Sequence, residues 1–170
     1  MNIIELIRLD SSLEDSLHQN PEFIDSMMTE NWSRVAELVH AVTGRTLQAA
    51  PVGVDQLEWG GYYVVDKATN HVVGSCAFKG EPSDDGSVEI AYFTFPEFEG
   101  NGYATLMAER LVSLARSCLA IQRVLAHTLP NESASTRVLE KVGLTYAGPV
   151  EEPDDGLVWR WEMKFIRDEG

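Results

Sequence analysis

The sequence predicts an α+β (mixed α/β) protein, helices layered on a largely antiparallel sheet, from three observations. Apolar residues alternate with a period of two between Tyr62 and Phe95. The period lengthens to about 3.6 directly after Gly102. Beyond that helix the order reads strand, helix, strand, strand, which suits layered rather than all-helical packing. The 170 residues fit one domain over 1–170, large enough to bury a core.

The elements follow in order. Ile3 to Ile7 can open as a strand, and Asp10, Ser11 and Ser12 offer helix caps. Val35, Leu38, Val39 and Val42 recur at helical steps before Gly44, a C-terminal stop. Thr46 to Gly61 loses all periodicity and reads as loop. Tyr62–Val65 and Val72–Phe78 are β-branched or aromatic strands around a turn at Lys67-Ala68-Thr69-Asn70. A polar loop, Gly80–Gly86, precedes a third strand from Val88 to Phe95. That strand is apolar on both sides and is expected to be central and covered on both faces.

Met107, Leu111, Leu114, Ala115 and Cys118 mark one face of the next helix. Arg123–Thr128 reads as a strand. A second helix is expected from Glu132 to Val142, with Asn131 as a candidate N-cap and Gly143 past its end. A turn at 151–156 leads into a final strand, Val158–Phe165, where Trp159, Trp161 and Met163 alternate with charged residues.

Composition narrows the function. Thirteen basic against 27 acidic residues give a net charge of −14. Such a chain repels nucleic-acid phosphates, so nucleic acid is not an expected partner. A cationic substrate would be attracted, although the charge also serves solubility alone. No run approaches the ~18 apolar residues of a membrane span, and Met1–Asp10 does not read as a secretory leader. Cys76 and Cys118 are too few for a disulfide scaffold and fit no zinc spacing, which favours a reducing, cytoplasmic setting. No metal is expected. His18, His40 and His71 form no ligand spacing, and the Asp84-Asp85-Gly86 and Asp154-Asp155-Gly156 turns lack the spacing of a calcium loop.

The chemistry-bearing junction joins the third strand to the long helix: Glu99-Gly100-Asn101-Gly102-Tyr103-Ala104-Thr105. Small residues at 100, 102 and 104 let backbone approach a ligand closely. The first-turn N–H groups of a helix lack internal partners and attract a phosphate or pyrophosphate. A tight turn with close helix–sheet packing explains the same glycines equally well. A P-loop is excluded because no Gly-Lys-Ser/Thr opens the helix. A dinucleotide fingerprint is excluded because Gln122 stands where its acid belongs.

These residues resemble the acetyl-CoA pyrophosphate loop of the GCN5-related N-acetyltransferases. Ala126-His127-Thr128-Leu129-Pro130-Asn131 and Ser135 to Leu144 resemble the second half of that domain, closest to the branch that acetylates ribosomal-protein N-termini and some antibiotics. The resemblance covers the core motif region, 62–144. It implies a splayed sheet, acetyl-CoA as co-substrate and direct transfer of the acetyl group to a primary amine in a ternary complex. The acceptor would be a protein N-terminus or a small-molecule amine. Phe93 and Thr94 would pair with the pantetheine. Gly100, Asn101, Gly102, Tyr103, Ala104 and Thr105 would hold the pyrophosphate. Asn131 would contact the cofactor arm, or else simply cap the helix.

The acceptor amine, with a pKa of ~10.4 for a lysine-type group, must lose a proton before attack. Glu89 and His127 are the candidate bases. Their alternatives are a surface ion pair for Glu89 and a strand-end hydrogen bond for His127. Two departures from the family pattern stand out. Glu99 replaces the usual Gln or Arg, and Leu139 replaces a Tyr that in many members protonates the leaving thiolate. A non-catalytic acetyl-CoA-binding module on the same fold is the competing expectation. Acceptor choice is expected to lie in Leu13–Gly61, and the oligomeric state is open, a homodimer included.

Overall fold

The computed structural model describes residues 3–8, 61–69 and 71–168. The expected caps at Asp10–Ser12, the helix through Val35–Val42, the loop before Gly61, His18, His40 and most of the acceptor-selecting stretch lie outside these residues. The chain divides into two compact units, Met1–Cys76 with Phe93–Tyr103, and Ala77–Tyr92 with Ala104–Gly170.

In the first unit, β1 (Ile4–Arg8) pairs antiparallel with β2 (Gly61–Asp66), with Ile4 opposite Asp66 and Leu6 opposite Val64. Alternation puts Ile4, Leu6, Tyr62 and Val64 into the core, the last two with no exposed surface. β2 ends at Asp66, whose Oδ1 accepts the Ala68 N–H at 2.7 Å and the Thr69 N–H at 3.3 Å. This Asx arrangement makes the turn into β3 (His71–Phe78). The same unit holds the end of β4 (Ser87–Thr94), a short 3-10 turn (Pro96–Phe98) and the glycine turn after it.

The second unit carries most of β4, then α1 (Tyr103–Ser117), β5 (Arg123–Thr128), α2 (Ala134–Val142), β6 (Thr145–Glu152) and β7 (Gly156–Lys164). Its strands lie in the order β4-β5-β7-β6. β4 and β5 run parallel, joined by α1 as the crossover, and the remaining pairs are antiparallel. Val88, Ile90, Met107, Leu111, Val124, Leu139 and Trp161 form its core. Complete burial of a side chain such as Leu111 contributes about 1.5–3 kcal/mol.

The structure departs from the sequence reading in three places. The buried face of α1 is Met107, Ala108, Leu111, Val112 and Ala115, while Leu114 and Cys118 are only half-buried. Small Ala108 and β-branched Val112 sit at i+1 of Met107 and Leu111, so the contact stripe turns toward them. α2 starts at Ala134, and its N-cap is Ser133, not Asn131. Ser133 and Thr136 form a reciprocal capping box that satisfies two backbone N–H groups at once. Finally, β4 is not covered on both faces along its length. Val88 and Ile90 are buried, but Glu89 and Ala91 are half-buried, and Phe93 is 54 % exposed and meets Phe95 edge-on.

No helix among the described residues is long and apolar enough to cross a membrane. Both cysteines are free; burial pushes the Cys76 thiol up to about 12.

Candidate active site

Two regions, one within β4 and one directly after it, carry the groups suited to chemistry. The first is the point where β4 and β5 part. Their parallel pairing covers Ser87↔Arg123, Val88↔Val124 and Glu89↔Leu125, and then stops. Both strands continue, β4 to Thr94 and β5 to Thr128, without pairing to each other. A cavity of about 480 Å³ lies at this parting, with Ile90, Ala91 and Tyr92 on one side and Ala126, His127 and Thr128 on the other. That volume falls within the range of small-molecule sites.

Glu89 is the last residue of β4 paired with β5, and His127 lies two residues past its partner Leu125. The register therefore puts both side chains on one face. His127 Nδ1 lies 2.8 Å from Glu89 Oε1. Lys79, just after β3, places its Nζ 3.1 Å from the same oxygen. Opposite His127 on β7 is Arg160, whose Nε–H donates to His127 Nε2 at 3.1 Å. Glu152 of β6 stands 3.6 Å from both His127 Nε2 and Arg160 Nη2. The His127 side chain is 12 % exposed and that of Glu89 24 %. Glu89 Oε2 has no partner among the described residues, so one carboxylate oxygen is open beside the cavity.

Tyr92, three residues further along β4, is half-buried and sends its hydroxyl to the Ser135 carbonyl at 3.3 Å. Burial raises its pKa well above the ordinary value and keeps it a phenol. Leu139 is completely buried in the core and does not line the cavity. Asn131 is exposed and lines the cavity, and its backbone N–H donates to the Leu129 carbonyl at 2.8 Å. With the cap assigned to Ser133, the helix-cap explanation for Asn131 falls away.

The second region is the turn from β4 into α1. Phe95 N–H donates to the Val73 carbonyl, and Phe98 N–H to the Phe95 carbonyl, both at 2.9 Å. The chain then passes through Gly100 and Gly102, with φ of +79° and +83°. A Cβ built at either glycine meets no atom of the described residues within 4 Å. Asn101 Nδ2 donates to the carbonyls of Phe98 and Glu99 at 2.9 and 3.2 Å and braces the turn. Glu99 and both glycines are exposed. Thr94 Oγ1 is buried without a hydrogen-bond partner among the described residues.

α1 is anchored by its first residue. Tyr103 is 7 % exposed, and its hydroxyl donates to Oδ2 of Asp66, itself 1 % exposed. Burial alone would raise the Asp66 pKa. The Tyr103 hydroxyl and the Ala68 and Thr69 N–H groups outweigh it and hold the carboxyl below its ordinary 3.8. Burial, with Asp66 as acceptor, pushes the Tyr103 phenol up to about 12. The N–H groups of Tyr103, Ala104 and Thr105 have no partner within the helix.

The structure thus brings Glu89, His127 and Asn131 to one cavity, and Gly100 to Thr105 into one open turn. Sequence reasoning missed Arg160, Lys79, Glu152 and Asp66. The one available signal was Arg160, a charge set between two tryptophans; that it faces His127 depends on strand register, which no local pattern encodes. Among the described residues, no group of three or more His, Cys, Asp or Glu could hold a metal.

Residues 6–145 match the family model described as an acetyltransferase (GNAT) domain. An N-acetyltransferase of Bacillus subtilis, YjdG, is 29 % identical over 82 residues, 48 % of this chain and 49 % of that protein. The chain spans about half the length of the curated relatives it matches. A GNAT-family acetyltransferase structure from Bacillus anthracis superposes with a TM-score of 0.59 at 15 % identity, over 96 % of this chain and 98 % of that one. RimL, a ribosomal L7/L12 alpha-N-protein acetyltransferase solved with coenzyme A, gives 0.63 at 17 % identity, over 95 % and 93 %. These similarities agree with the α+β architecture, and the match over residues 6–145 shows that the chain belongs to the GNAT family of acetyltransferases.

Proposed function

We propose that this protein transfers an acetyl group from acetyl-CoA to a primary amine. The observation that carries the reading is the parting of β4 from β5 at Glu89, with an acid–imidazole pair at that point and a cavity beside it. The stretch of β4 that no longer pairs with β5, through Phe93 and Thr94, would offer backbone to the pantetheine arm. The open turn offers the amides of Gly100 to Thr105 to the diphosphate, where the helix dipole favours negative charge. Asn131 is the side chain placed to meet the arm. Exposed Glu99 turns toward solvent, so its charge is screened from a diphosphate on the backbone.

In the reaction, the ammonium form of the acceptor gives up one proton to Glu89 or His127, the freed lone pair attacks the thioester carbonyl, and the second nitrogen proton passes to water as the amide forms. A C–N bond forms, the C–S bond breaks, and CoA leaves as thiolate. With Leu139 in the core, no tyrosine at that position protonates the thiolate, and water is the proton source. Holding both reactants in line supplies much of the acceleration. The acceptor's identity would rest on Leu13–Gly61. RimL is a ribosomal L7/L12 alpha-N-protein acetyltransferase; a peptide N-terminus and small cationic amines are therefore the first acceptors to try.

The test is thiol release from acetyl-CoA with a panel of amines: N-terminal peptides, polyamines and aminoglycosides. Release above the no-amine blank supports the enzyme. Thermal stabilisation by CoA with no turnover across the panel would replace it with the non-catalytic binding module.

A further inference from the structure

We infer that Arg160 is a positioning residue: it fixes His127 as the Nδ1–H tautomer, and thereby leaves Glu89 as the group that takes the amine proton. The inference rests on the acetyl-transfer reading and divides a role which that reading leaves shared between two residues.

The argument begins with what each atom can do. An arginine Nε–H only donates. Placed 3.1 Å from His127 Nε2, it requires a lone pair there. The ring proton must then sit on Nδ1, and Nδ1 lies 2.8 Å from Glu89 Oε1, a pure acceptor when ionised. The two bonds specify the same tautomer from opposite sides of the ring. Nε2, the only basic nitrogen left, is already occupied by Arg160, so His127 has no lone pair to offer an incoming amine.

Glu89 is in the opposite condition. Its Oε1 receives both Lys79 and His127, while Oε2 has no partner among the described residues and Glu89 lines the cavity. Two donors on one oxygen hold the carboxylate plane and direct the other oxygen outward.

The groups facing His127 come from each strand around it: Lys79 after β3, Glu89 on β4, Glu152 on β6 and Arg160 on β7. Asp155, in the turn between β6 and β7, lines the same cavity. Glu152, 3.6 Å from Arg160 Nη2, steadies the guanidinium. Arg160 is reliable in this role because it stays protonated throughout the working pH range.

The experiment reads the ring directly and then the rate. In protein labelled with 15N-histidine, the His127 signals are assigned by their loss in His127→Ala. The parent is expected to carry its proton on Nδ1, with a pyridine-like Nε2. Arg160→Met is expected to give a mixture of tautomers, and Arg160→Lys, which keeps a donor, to move back toward the parent. A parent ring protonated on Nε2 overturns the inference.

In pH–rate profiles, Glu89→Gln is expected to remove the ascending limb and to lower kcat by ~10²–10⁴-fold, the usual worth of a general base. His127→Ala should keep that limb with kcat/KM down about tenfold, the worth of one lost charge-assisted hydrogen bond. Loss of the limb in His127→Ala makes His127 the base and overturns the assignment. Absence of acetyl transfer in the parent with every amine defeats the acetyl-transfer reading and the base assignment with it, while the imidazole spectrum still decides the tautomer.

Discussion

The turns at the two ends of β4 use the same backbone conformation for opposite purposes. Before the strand, Gly86 has φ of +76°, and a Cβ there would lie 2.9 Å from the Ala120 carbonyl oxygen and 2.8 Å from Gln122 Cγ. Its own carbonyl accepts the N–H groups of Gln122 and Arg123, which starts β5. After the strand, Gly100 and Gly102 have nearly the same φ, yet among the described residues nothing lies within 4 Å of a Cβ at either. A glycine crowded by backbone is required by the fold. A glycine facing open space in a left-handed conformation leaves room for something else, and in this family member the proposed occupant is the diphosphate of acetyl-CoA. Substitutions can separate the two cases, because the first should cost stability and the second binding.

The largest effect is expected at Gly102. A carboxylate introduced by Gly102→Glu would occupy the space beside the turn and repel a diphosphate. Acetyl-CoA affinity should fall at least ~100-fold, about 2.7 kcal/mol, while the far-UV circular dichroism stays native. Unchanged affinity in calorimetry would mean that the open turn is not the diphosphate site, and the comparison would reduce to two structural glycines.

Gly86→Ala comes next and tests the other half. The left-handed backbone alone costs a side chain about 1–2 kcal/mol, and the contact with a backbone carbonyl adds to it. Chemical denaturation should show a loss on the order of 2 kcal/mol, with acetyl-CoA affinity of the folded fraction close to the parent. A fall in affinity without loss of stability would reverse the roles assigned to the two turns.

Asn101→Ala sharpens the picture within the second turn. Its side-chain amide ties two carbonyls of the turn and is exposed. Loss of such bonds is worth about 0.5–1.5 kcal/mol. That should appear as a several-fold rise in KM for acetyl-CoA with kcat preserved, since the chemical step lies elsewhere. An altered kcat with unchanged KM would place Asn101 outside cofactor binding.

Much of this was legible in the chain. The strand order after Tyr62, the crossover helix and the glycine turn follow from periodicity and punctuation, which act over neighbouring residues. The Glu89 and His127 candidates also came from the sequence, but as separate residues with separate roles. Their meeting at 2.8 Å depends on the register of two strands 38 positions apart in the chain. Arg160 is hidden for the same reason, because its partner is fixed by the β5–β7 register. Asn131 misled as a cap because Ser133, two residues on, has Thr136 at N3 and completes a reciprocal pair, which a lone Asn cannot do. The covered face expected for all of β4 failed at Phe93, where apolar character does not report exposure.

The smallest expected effect again concerns the turn before β4 and is best seen through pH. Asp85 is exposed; the hydroxyl of Ser83 at 2.6 Å and the Ser87 N–H at 3.1 Å hold its carboxyl below the ordinary 3.8. Asp66 is depressed in the same direction but is buried, and its bond to Tyr103 fixes the start of α1. A carboxylate whose folded pKa lies below its unfolded value contributes stability above the unfolded value, and that contribution is lost as pH falls through the folded one. Both groups should therefore be fully effective at pH 7 and fail only below about 3.8. Asp85→Asn should lower the melting temperature at pH 7 less than Gly86→Ala does, because solvent screens an exposed carboxylate. The gap between parent and Asp85→Asn should then close as pH falls through the range below 3.8. A gap that persists in acid would show that Asp85 holds the turn by packing rather than by charge, and Gly86 alone would then account for the geometry that starts β4.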